Sequence, residues 1–221
     1  MEIRSSHAFG HYKPGGALIE NNLGAALTQK GLLDEAIDHY EKAAKMRPDY
    51  GDPYLNLGSV LFRQGRTDEA ITLWRKAAAT QPEDGAFHTI LGDEFLKKGL
   101  RKDAIAEYEH ATRIFPRGFV ARNNLAWLLA TSFDGSIRDG KRAIELAEQT
   151  VQLSRGKDAN YLRTLAAAYA EVGRFSEAIA GAQQAAALAT MQGKTDVVNR
   201  LKKDLVLYQE QVPLRETSPE N

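Results

Sequence analysis

His7 and His11 stand at i and i+4, the spacing at which two imidazoles on one helical face can share a metal ion. Gly10 lies between them and Pro14 follows, so a helix there is disfavoured and both read as solvated histidines in a loose leader. His39 and His110 sit beside Tyr40 and Glu109, and His88 holds the place in a recurring pattern that Tyr54 holds one period earlier. All three read as packing or surface variants with no recurring acid–base partner. The chain has no glycine-rich phosphate loop and no nucleophile elbow. It contains no cysteine, which excludes thiol catalysis, disulfides and cysteine–zinc sites. No catalytic residue, cofactor site or metal site is expected, and the chain is expected not to be an enzyme. One series of side chains remains: Asn22, Asn56 and Asn124, separated by one interval and then by twice that interval. An amide offers two donors and one acceptor atom, so a row of them can bond both edges of an extended peptide backbone. Asparagine is a poor helix former and needs a reason to recur. The alternative is that it caps or solvates an exposed helix face.

Side chains that recur require elements that repeat. Gly24, Gly58, Gly92 and Ala126 follow one another at that same constant interval. Twelve positions after the first three come Ala36, Ala70 and Ala104; four further on, Tyr40, Trp74 and Tyr108; three further still, Ala43, Ala77 and Ala111. Pro48, Pro82 and Pro116 close the units. A fifth unit shows Leu165-Ala166, Tyr169, Gly173, Ala178 and Ala185. Apolar residues fall at helical spacing, as in Leu55, Val60, Leu61 and then Ile71, Trp74, Ala77, Ala78. Gly31, Gly65, Gly99 and Gly173 stand where one helix must stop. Asp34, Glu35, Asp68, Glu69, Asp103 and Glu177 fall in the first turn of the next, where the dipole favours negative charge. The prolines end that second helix. Each unit is therefore a helical hairpin, which cannot bury its apolar face alone and must stack on its neighbours.

This pattern resembles the tetratricopeptide repeat family, in which an aromatic, Leu-Gly, a later Ala-x3-aromatic and a proline recur over about 34 residues. Residues 51–84 carry it almost complete, as Tyr54, Leu57, Gly58, Leu61, Ala70, Trp74, Ala77 and Pro82. The expected fold is all-α, a right-handed α-solenoid of stacked helical hairpins with a C-terminal capping helix. The expected organisation is a leader or remnant of a preceding repeat over 1–16, then five repeats over 17–190. Their bounds are 17–50, 51–84, 85–118, 119–158 with an inserted loop at 131–138, and 159–190. A capping helix over 191–212 and a flexible tail over 213–221 follow. Pro14, one interval before Pro48, holds the closing position of a preceding unit and suggests one segment of a longer array or multidomain protein.

Two breaks interrupt the rhythm. The step from Ala126 to Ala143 is five positions longer than the step from Gly24 to Ala36. The insertion reads either as a binding loop or, preferably, as a tolerated turn insertion. Ala147 and Thr150 stand in that unit where an aromatic and an alanine are expected. After Thr190, Val197, Val198, Leu201, Leu205 and Tyr208 form one stripe, the mark of a capping helix.

The resemblance implies that first helices of successive units line a concave face. Inward positions would then hold Asn22, Asn56 and Asn124, joined by Asn21, Asp52, Arg63, Asp93, Lys97, Asn123, Trp127, Asn160, Arg163 and Glu171. The peptide-groove residues expected to matter most are Asn22, Asn56, Asn124, Arg63, Asp93, Trp127 and Arg163. Trp127 reads equally as a ligand anchor or as packing beneath the inserted loop. Similar repeats that clamp acidic chaperone tails use Lys, Asn, Asn, Lys and Arg; here those positions read Asn21, Ala25, Asn56, Ala86 and Ile90, which argues against such a clamp.

Composition narrows the partner. The 221 residues carry 29 basic and 29 acidic side chains, net zero, which argues against nucleic acid because phosphate neutralisation needs a basic surplus. No stretch approaches about 20 apolar residues, so no membrane insertion is expected. Met1 to Gly16 lacks the form of a signal peptide, which favours a cytoplasmic over a periplasmic setting. The expected role is a scaffold that binds an extended peptide or helix of a partner protein. Self-association, or service as the repeat segment of a larger glycosyltransferase or membrane protein, is the alternative.

Overall fold

The structure, a computed structural model, describes residues 14–216. His7 and His11, and the tail beyond Glu216, lie outside the described residues. Among those described the chain is eleven α-helices without a strand. They are α1 (Pro14–Gln29), α2 (Leu33–Met46), α3 (Gly51–Arg63), α4 (Thr67–Thr80), α5 (Gly85–Lys97), α6 (Arg101–Ile114), α7 (Phe119–Thr131), α8 (Gly140–Leu153), α9 (Ala159–Glu171), α10 (Phe175–Met191) and α11 (Thr195–Gln209). Residues 14–16, read above as leader, belong to the first turn of α1, a position that accepts proline because its missing N–H has no helical partner.

Two compact units divide the described residues, one up to Glu83 and one from Asp84. In the first, α1 packs on α2, α2 on α3 and α3 on α4, with a lesser contact of α1 on α3; in the second, the same succession runs from α5 to α11, with α7 also on α9 and lesser contacts of α5 on α7 and α9 on α11. The fold is thus an all-α helical repeat.

Two features of the sequence make the first three hairpins. The first is the turn. At Gly65 the backbone has φ +80°, its N–H donates to Phe62 O at 2.9 Å, and the N–H of Arg66 donates to Leu61 O at 3.0 Å. This paired closure needs a left-handed residue, which glycine supplies without a Cβ clash.

The second feature is a small residue facing a large one. A Cβ built on Gly24, Gly58 or Gly92 would lie 2.7, 2.5 or 2.6 Å from the ring of Tyr40, Trp74 or Tyr108 respectively. Each ring fills the room that the missing side chain leaves, and each polar tip reaches a partner on the first helix. Tyr40 Oη lies 3.1 Å from Thr28 Oγ1, Trp74 Nε1 donates to Leu55 O at 3.1 Å, and Tyr108 Oη donates to Asp93 at 2.6 Å. Where the small position holds alanine, the large one shrinks with it: Ala126 goes with Ala147 and Ala166 with Ala182, all fully buried. A Cβ at this position would collide with an aromatic ring, so where it holds Ala126 an aromatic is missing from α8.

The inserted loop folds on itself. Arg138 Nη1 donates to Ser132 O and Phe133 O at 2.9 and 3.2 Å, and Asp134 accepts from Ser136. Ile137 is buried. The capping helix α11 buries Val197, Leu201 and Tyr208 against the second unit's core, and with them Asp204, which is 2% exposed.

Of the segment read as a flexible tail, residues 213–216 are described, and they make specific contacts. Gln211 takes φ +58°, its N–H donates to Tyr208 O, and Val212 N–H donates to Leu207 O at 2.8 Å. This left-handed turn reverses the chain. Leu214 packs against the core of the second unit, and Glu216 N–H donates to Thr131 O at 2.8 Å. Backbone pairing and apolar contact thus join residues 212–216 to the rest of the second unit.

Candidate functional site

In the first unit Asn56 meets Asn21, another of the expected inward residues. Asn56 Nδ2 donates to Asn21 Oδ1 at 3.0 Å, and Asn21 Nδ2 reaches Tyr50 Oη at 3.4 Å. Asn21 is buried while Asn22, next to it, is exposed. Burial, with the Asp52 carboxylate next in weight, pushes the Tyr50 hydroxyl up to about 12. Arg63 is exposed at the last residue of α3.

In the second unit two expected residues meet directly. Asn124 Nδ2 donates to Asp93 Oδ1 at 2.9 Å, the same oxygen that accepts from Tyr108. Burial, aided by the adjacent Asp93, raises the Tyr108 hydroxyl well above its ordinary value. The amide of Asn124 thus orients a carboxylate.

Two more expected residues also come together. The guanidinium of Arg163 stacks over the ring of Trp127, 4.4 Å from its centroid. The same guanidinium grips Asp204 with two bonds, Nε–Oδ2 at 2.5 Å and Nη2–Oδ1 at 3.2 Å. A buried carboxylate must be paired, so α11 fixes Arg163 and Arg163 fixes the indole. Trp127 Nε1 then donates to Glu216 Oε1 at 2.9 Å, whose other oxygen lies 3.5 Å from Arg101 Nη2. Arg101 is itself stacked over Phe133 of the inserted loop, 4.2 Å from the ring centre. Glu171 pairs with Arg138 of that loop at 3.0 Å and with Arg215 of the tail at 2.6 Å. Two sets of charged contacts therefore tie loop, tail, α7 and α9 together.

Asp204, Arg101 and Glu216 were not among the expected site residues. Asp204 could have been found, since an acid at a position of the Val197–Leu201–Tyr208 stripe is out of register with its chemistry. Nothing local in the sequence links Glu216 to Trp127, 89 residues away.

The histidines correct an expectation. His88 Nδ1 lies 2.6 Å from Glu107, and His39 Nδ1 lies 2.6 Å from Glu20. Each has a carboxylate partner after all, 19 residues away on the facing helix of its hairpin, a separation that brings no neighbouring acid into view along the sequence. Among the described residues, no three histidine, aspartate or glutamate side chains converge as metal ligands would. Nor is any described helix long and apolar enough to cross a membrane.

Residues 24–65 match a family model described as TPR repeat, and residues 55–119 match one described as tetratricopeptide repeat. Residues 24–119 are therefore tetratricopeptide repeats. Solved structures of the same fold include MamA, 22% identical with a TM-score of 0.62, covering 81% of this chain and 94% of that one. YrrB, described as a TPR protein with an unusual peptide-binding site, is 20% identical with a TM-score of 0.60, covering 85% and 92%. A thermophilic TPR protein of Thermus thermophilus is 20% identical with a TM-score of 0.55, covering 86% and 100%. At these identities the likeness is one of fold. No curated protein matches the chain at the level of sequence. Tetratricopeptide repeats serve as scaffolds for protein–protein interaction, and that is the function class of these repeats.

Proposed function

We propose that this chain is a non-catalytic scaffold that holds an extended segment of a partner protein along the first helices of its hairpins. Each unit offers its own such face, α1 and α3 in the first and α5, α7 and α9 in the second. One observation carries the reading: residues 212–216 lie on α7 without regular secondary structure, bonded through backbone at Thr131 and through a side chain at Trp127. A face that receives extended polypeptide in this way has the donors, acceptors and aromatic surface that peptide recognition uses. In the first unit the exposed amide of Asn22 and guanidinium of Arg63 offer the same kinds of bond.

The test is affinity capture followed by mass spectrometry, comparing the wild type with Asn22→Ala/Arg63→Ala and with Trp127→Ala. The exposed pair is expected to weaken capture of a common set of partners while melting stays unchanged. Capture that is identical in all three proteins overturns the reading.

A further inference from the structure

The segment after α11 is held at several points. Its turn is made by Gln211 at φ +58°, a conformation that a residue with a side chain adopts at some cost. Beyond it, each of three successive residues makes its own contact with the second unit. Leu214 packs on the apolar core. Arg215 pairs with Glu171 at 2.6 Å. Glu216 accepts from Trp127 Nε1, faces Arg101, and donates its N–H to Thr131 O. The contacts alternate in chemistry along the segment as aliphatic, basic, acidic. The receiving groups match in order: a core edge, a carboxylate, and an indole N–H beside a guanidinium. Trp127 is itself held from behind by Arg163 and Asp204, so the anchor is in place whether or not the tail is bound.

Resting on the reading of a peptide-holding face, we propose that residues 212–216 are a resident occupant of the partner site on α7 and α9. The partner segment is then an extended peptide of the same aliphatic–basic–acidic order, which binds by displacing the tail. Its apparent affinity is lowered by the fraction of molecules in which the tail is seated, so the chain regulates its own site.

The probe is a fluorescent peptide with the sequence of residues 210–216, Glu-Gln-Val-Pro-Leu-Arg-Glu, titrated by anisotropy into the full chain. The receptor is the wild type or the variant Leu214→Ala/Arg215→Ala/Glu216→Ala. Circular dichroism establishes that the variant keeps its helices; a second variant, Glu216→Gln alone, serves if it does not. The tail variant is expected to bind the peptide about tenfold tighter than the wild type or more, as release of a tethered competitor predicts. Adding Trp127→Ala to that variant is expected to abolish binding, and a peptide with Arg and Glu exchanged is expected not to bind. Equal affinity for wild type and folded tail variant overturns the resident-tail proposal. If that equal binding is still lost with Trp127→Ala, the peptide-holding reading stands without it. No binding to either protein overturns the proposal, and the capture experiment with Asn22→Ala/Arg63→Ala decides the broader reading separately. A concentration-dependent dimer that the tail substitutions dissolve also overturns it, since the segment would then serve a second copy.

Discussion

Gly58 lies directly under the indole of Trp74: a Cβ on the glycine would stand 2.5 Å from Nε1 and 3.1 Å from the carbonyl of Ala70. Neither the buried ring nor the backbone can give way easily. Gly58→Leu is expected to destabilise by about 3 kcal/mol, the upper range of overpacking a tight contact, read from urea unfolding. Gly15→Ala is the control, because nothing lies within 4 Å of the Cβ it would add; it should be neutral or slightly stabilising.

Arg163 and Asp204 make a largely enclosed ion pair in the second unit, with the two side chains 14% and 3% exposed. Asp204→Asn removes the countercharge and leaves a guanidinium with little water. A loss of about 3 kcal/mol is expected, while Arg163→Met/Asp204→Leu should recover most of it, since an apolar pair of similar volume replaces both charges. Comparison of the single and double variants by thermal unfolding checks this, and equal losses in both would contradict it.

Glu171 is expected to govern two segments at once, since it pairs with Arg138 and Arg215. Glu171→Gln should speed limited proteolysis both within residues 133–136 and beyond residue 211. Cleavage accelerated at only one of the two places would show that the loop and tail are held independently.

Asn56→Ala should cost about 1 kcal/mol, the scale of leaving a buried acceptor without its donor, because Asn21 Oδ1 loses the bond at 3.0 Å. Asn22→Ala, at an exposed site, should leave unfolding unchanged.

Tyr108 and Tyr208 have hydroxyls raised above their ordinary value near 10 by burial, seconded by Asp93 for the one and Asp204 for the other. Burial raises Tyr40 as well, and Tyr50 to about 12. The folded chain therefore holds these protons more tightly than the unfolded chain does. The stability they confer is complete below about pH 10 and is lost as pH rises beyond it. Urea midpoints should be level from pH 8 to about 9.5 and fall from about pH 10 upward, in step with tyrosinate absorbance.

The hairpins were legible because each depends on local chemistry: a left-handed glycine such as Gly65, a first-turn acid such as Asp68, a small residue sixteen positions before a large one. The site was legible only in its residue types. Asn124, Asp93, Trp127 and Arg163 were expected to face a ligand, yet the first two bond each other and the last two stack on each other. What decides this is tertiary: Asp204 arrives from α11 and Glu216 from a reversed tail, 41 and 89 residues from their partners. Side chains that look free along a helix are consumed by partners that no local pattern announces.

The pairing of Gly58 with Trp74 and of Ala126 with Ala147 bears on engineering. Helices from the two kinds of hairpin are not exchangeable singly: a glycine helix set against an alanine helix leaves a void, and an alanine helix set against an aromatic one collides. Recombination that cuts at the boundaries between repeats keeps partners together, whereas a crossover at the inner turn separates them. Chimeras of this chain should therefore tolerate breakpoints near residues 50 or 118 and fail at breakpoints near residues 65 or 135.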